Sequence, residues 1–125
     1  MTVRILRDPK AIKVNPEAEP LRQVVIDMFD IIKPFYSRQT AAYTTTGAAA
    51  LEIVEVDSGS SVTVSLHQSA KDGQQVIVKR MGSGAVVVDT VGAETIDGSA
   101  SKTIGSQYDI LRVVYLDVSG EYVVI

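Results

Sequence analysis

The chain has no cysteine, no tryptophan and a single histidine, His67, in 125 residues. Without cysteine it forms neither disulfides nor thiolate metal sites, so packing has to supply its rigidity; the absence says nothing of a redox compartment. No apolar run approaches the roughly 18 residues of a membrane span. The opening MTVRILRDPK is too charged, with too short an apolar core, for a signal peptide, so a soluble chain starting near Met1 is expected. An excess of one charge is missing too: 12 basic and 15 acidic residues leave a net charge of -3, and the hydrophobic share is 46%. That balance describes an ordinary globular domain rather than a disordered or supercharged one, and it calls for neither nucleic acid nor membrane.

Proline and glycine divide the chain. All four prolines (Pro9, Pro16, Pro20, Pro34) precede residue 36, and all nine glycines lie from Gly47 onward. Residues 1–19 mix proline, charge and isolated aliphatics, which predicts an extended arm, because each proline removes a donor and biases its predecessor to extended geometry. Arg4, Arg7, Lys10 and Lys13 against Asp8 make the first thirteen residues basic by +3, whereas residues 41–125 carry five positive and ten negative charges. Such an arm suits an acidic partner surface.

Pro20 at a first helical position, with Glu17 and Glu19 before it, predicts a helix that runs to Lys33 and is halted at Pro34. Leu21, Val24, Met28, Ile31 and Phe35 recur at steps of 3, 4, 3 and 4, an oligomer seam across residues 20–35, and Val25, Ile26, Phe29 and Ile32 widen its apolar face. A helix of two heptads is unstable alone, so it either packs on the rest of the chain or meets copies of itself. Residues 36–50 read as a linker.

From residue 51 onward the pattern is β. LEIVEV, SVTVSLH, QQVIVKR, AVVVDT, ILRVVYL and EYVVI are separated by DSGS, KDG, MGSG, DGSAS and DVSG turns. Short strands at that spacing predict a sandwich, a barrel or a coiled stack of rungs. Alternation places His67 with Thr63 and Ser65 on a polar face, while VVV at 86–88 and VVYL at 113–116 are apolar on both faces and ask for cover from two directions, which a second subunit could supply.

Residues 71–125, KDGQQVIVKRMGSGAVVVDTVGAETIDGSASKTIGSQYDILRVVYLDVSGEYVVI, resemble a module common in tailed-bacteriophage fibres and other virion proteins. A DGQ turn, a strand, a GSG-like turn, another strand, TIDG, a polar turn, QYD, an aliphatic strand, a glycine turn and a closing aromatic-VI carry the likeness. The module often has Trp after its last Gly and polar residue; here Gly120, Glu121 and Tyr122 stand, and tyrosine keeps both the apolar plane and the polar tip. The resemblance implies a homotrimer with intertwined strands, and it implies that AETIDGSASKTIGSQYD, residues 93–109, is a spacer: Thr95 and Ile96 end a rung, Asp97 and Gly98 turn, Ser99–Ser101 present hydroxyls to water or to local backbone donors, and Tyr108 re-enters the packed layer.

Residues that invite chemistry have plainer readings. Asp57, Asp72, Asp97 and Asp117 sit in or beside glycine turns without the spacing of a calcium loop. His67 shows no companion nucleophile or acid. Met81–Gly84 lacks the Lys-Ser/Thr that completes a phosphate loop. Tyr108, Tyr115 and Tyr122, seven apart, read as core and interface rather than a sugar platform. Glu52 and Glu55 point to opposite faces of a strand and make no glycosidase pair. No cofactor or metal is expected.

The expectation is therefore a mainly β protein: an extended arm (1–19), one short oligomerising α-helix (20–35), a linker (36–50) and an antiparallel or coiled β-domain (51–125), sandwich- or β-prism-like, in a homotrimer. Its expected function is a non-enzymatic virion protein, a capsid decoration or cement protein or head fibre whose arm binds the major capsid protein or another virion protein, located on the capsid surface or tail. The alternative is a tail fibre, needle or adaptor for host attachment; a glycan-cleaving enzyme is the remaining class.

Overall fold

The computed structural model describes residues 33–125. The arm, including Arg4, Arg7, Lys10 and Lys13, and the seam residues Leu21, Val24, Met28 and Ile31 lie outside the described residues.

Nine strands follow in order: β1 (Phe35–Gln39), β2 (Tyr43–Thr44), β3 (Leu51–Val56), β4 (Val62–Leu66), β5 (Gln75–Arg80), β6 (Val86–Thr90), β7 (Ser101–Ile104), β8 (Ile110–Leu116) and β9 (Glu121–Val124). They form two sheets, ordered β1-β3-β5-β8-β9 (sheet A) and β2-β4-β6-β7 (sheet B). Consecutive strands from β1 to β6 alternate between the sheets, and within each sheet they pair in parallel, so the chain winds as a coil of three rungs. Glu52 lies beside Val76 and Val62 beside Val86, a step of 24 residues in both sheets. The coil then ends: β7 runs back along β6, and β8 and β9 complete sheet A as antiparallel strands. The described residues are thus mainly β, with no helix among them.

Six strands coincide with the apolar runs seen in the sequence. Three others arise where none was expected. Residues 36–50, read as a linker, contribute most of β1 and all of β2, and Phe35, assigned by spacing to the last turn of a helical seam, instead opens β1 beside Glu52. Proline cannot donate to a helical ladder, and the edge of β3 offers the residues that follow Pro34 five positions of pairing. The third is β7, inside the segment read as a polar spacer. Ile96 in that segment is fully buried and bridges both Ser99 and Tyr122, while Tyr108 is 60% exposed at a positive φ of 71° rather than packed inside. The Asp97–Gly98 turn falls as expected, with both residues at positive φ, and Ser101 is exposed as expected.

The core lies between the sheets. Nine of its thirteen buried hydrophobic residues are valine, which suits a pleated, tightly spaced pair of faces better than longer side chains would. Val54, Val56, Val76, Val78 and Val113 come from sheet A, and Val62, Val64, Leu66, Val86, Val88 and Ile104 from sheet B; Ile96 and Tyr122 close the gap at the end of the coil. Each buried valine contributes about 1.5 kcal/mol or more through the apolar surface it removes from water.

Candidate functional site

Three polar clusters stand out, two at the corners of the coil and one outside it. At the corner after β4 the strand stops at Leu66, alternation lapses, and the chain turns inward at His67. His67 is therefore buried, not on the polar face that its spacing predicts. The hydroxyl of Thr45 lies 2.6 Å from its Nδ1, and Nε2 lies 3.2 Å from Gln74 Oε1. Gln74 Oε1 can only accept, so Nε2 carries the proton and Nδ1 accepts from Thr45. The same Thr45 Oγ1 accepts the His67 backbone N–H at 2.9 Å. Gln74 Nε2 donates to the carbonyls of Gly47 and Ala49. Tyr122 donates its hydroxyl to the His67 carbonyl at 2.8 Å and sets its ring edge-on to the imidazole.

Beside these residues, the Glu52 carboxylate is almost wholly buried. It accepts from Tyr43 Oη at 2.7 Å, from Thr46 N at 2.9 Å and from Thr46 Oγ1 at 3.2 Å. Burial, and then the bond to Glu52, pushes the Tyr43 hydroxyl above the usual tyrosine range. A hydroxyl, an imidazole and a third group in line have the outline of a nucleophilic triad. Here the hydroxyl is 3% exposed and already accepts a backbone N–H, and the third group is an amide that carries no charge. The cluster joins three rungs and the last strand.

At the opposite corner the buried guanidinium of Arg80 donates to the carbonyls of Gly82 (3.1 Å), Ser83 (2.5 Å) and Ile104 (3.2 Å). The Met81–Gly84 turn is thus pinned from inside.

The third cluster borders the outer side of sheet B. Val87, Asp89, Thr90, Gly92–Thr95, Ala100 and Ser101 line a cleft of about 400 Å³. Asp89 Oδ1 and Glu94 Oε1 are buried there without a hydrogen-bond partner among the described residues. A Cβ on Gly92 would lie 2.5 Å from Glu94 Oε1 and 2.7 Å from Gln68 Nε2, so glycine keeps that space open. Sequence reasoning missed both carboxylates: Asp89 stands in β6 after a valine run and Glu94 in an unpatterned loop, which Thr90 Oγ1 folds back by donating to the Glu94 carbonyl at 2.7 Å.

The aspartates singled out in the sequence serve the turns. Asp72 Oδ1 accepts the Asp117 N–H, Asp97 Oδ1 accepts the Val124 N–H, and Asp57 faces Arg38. No group of three or more metal-ligating side chains gathers among the described residues. Tyr115 and Tyr122 pack edge to face at 5.3 Å in the core, whereas Tyr108 points outward. Glu52 and Glu55 do occupy opposite faces: Glu52 is buried, and Glu55 meets Tyr36 and Arg38 on the outer side of sheet A.

No family model matches the chain, and no curated protein matches it. Among solved structures, one described as "Structure of a chaperone-substrate complex" aligns over 75% of this chain at 15% identity with a TM-score of 0.49. The chain spans 17% of the length of that structure.

Proposed function

We propose that the protein is a structural component of a phage virion, a capsid decoration or cement protein or head fibre, that assembles as a homo-oligomer. One observation carries the structural half of this reading: the buried polar side chains of both corners are committed to the coil itself. His67, Gln74, Glu52 and Arg80 bond to backbone groups or to one another. A domain arranged in this way is a rigid platform whose function lies on its outside. The virion half rests on the likeness of residues 71–125 to the fibre module, which also implies three copies. The basic residues Arg4, Arg7, Lys10 and Lys13 are the proposed grip on the major capsid protein or another acidic virion surface, with several weak arms multiplied by linkage.

Deleting residues 2–19 and co-sedimenting the protein with purified capsids tests the grip: binding should fall at least tenfold, and undiminished binding overturns it. If the isolated protein instead binds host cells or surface glycans, the tail-fibre or adaptor role replaces decoration.

The Asp89–Glu94 cleft favours one reading of another class. Two carboxylates on one cleft are the minimum equipment of a glycan-cleaving enzyme. Release of reducing ends from capsular polysaccharide, abolished by Asp89→Asn, would establish that activity in place of the structural role.

A further inference from the structure

We draw no further inference here: the strongest candidate, the exposed aromatic side chain of Tyr108 at positive φ in the Ser106–Asp109 turn that leads into β8, carries nothing, because nothing in the structure shows what covers it.

Discussion

Gly82 stacks directly on Ser58 of the preceding rung: a Cβ on Gly82 would come within 2.3 Å of the Ser58 carbonyl oxygen. Two residues on, a Cβ on Gly84 would come within 2.1 Å of the Ser60 carbonyl oxygen. Both glycines lie 24 residues after the serine beneath them, the same step that relates the strands on either side. The backbones touch because the Gly84 N–H donates to the Ser58 carbonyl at 2.8 Å, which leaves no room for a side chain.

Gly82→Ala and Gly84→Ala should each lower unfolding stability by about 2–3 kcal/mol, since the obstruction is backbone and cannot rotate away. Gly59 is the internal control. Its Cβ would meet only Ser83 Oγ at 3.8 Å, so Gly59→Ala should stay within about 0.5 kcal/mol. Urea denaturation midpoints of the three variants check the contrast, and equal losses at Gly59 and Gly82 would remove the stacking account.

This 24-residue step also marks how far the sequence is legible. The six apolar strands follow from alternation and turn residues alone, and each occupies its predicted run. The rung-on-rung relation does not, because DSGSSVTV and MGSGAVVV share little beyond serine, glycine and valine, residues that any turn and strand would use. FYSRQ, YT and SKTI lack a clear apolar period; they become strands because the edges of β3, β4 and β6 offer backbone partners, a long-range cause. His67 misleads for a local reason, since alternation was carried one residue past the end of its strand. The Glu52 site was half legible: alternation puts Glu52 on the face of Val54 and Val56, but Thr46 and Tyr43, which satisfy it, come from the stretch read as linker.

Tyr122 ties the last strand to that corner. Its hydroxyl is held above the usual tyrosine range, first by burial and then by the negative charge of Glu94. Tyr122→Phe keeps the ring against Tyr115 and His67 but leaves the His67 carbonyl without its donor, at a cost of about 1–3 kcal/mol. The raised value also fixes a pH response. Below the unfolded value near 10 the tyrosine is protonated in both states. Above it the unfolded chain loses a proton that the native chain retains, so stability falls as pH rises. The slope reaches about 1.4 kcal/mol per pH unit for each such tyrosine. Tyr43 adds in the same direction. Denaturation midpoints from pH 9 to 11.5 should decline in the wild type and less steeply in Tyr122→Phe.

Acid acts one residue earlier, at the first position of β9. Glu121 accepts from Thr95 Oγ1 at 2.7 Å and from the Gly98 N–H at 2.8 Å, and these bonds, the hydroxyl first, hold its carboxyl below the usual range. A depressed carboxyl contributes stability that is present above the unfolded value near 4.5 and is lost as pH falls through the native value. Glu121→Gln should therefore be less stable than the wild type at pH 7 and should lose less between pH 5 and 2. The loop 95–98 should loosen first, seen as faster amide exchange at Gly98 than at Val88 in the wild type at pH 3.

Arg80 gives the sharpest test of what the corners are for. Its guanidinium reaches three carbonyls on two segments, Gly82 and Ser83 in the turn and Ile104 at the end of β7, with no carboxylate partner among the described residues. A planar fork does this; a single ammonium does not. Arg80→Met should cost about 3 kcal/mol, because three carbonyls lose their donors while the apolar stem is kept. Arg80→Lys should fare no better despite its conserved charge, since it leaves a buried cation with fewer acceptors, and an uncompensated buried charge costs more than an apolar replacement. Thermal midpoints of the two variants decide between charge and geometry. If Arg80→Lys is close to the wild type and well above Arg80→Met, the positive charge itself holds the corner, and the three-carbonyl fork is incidental.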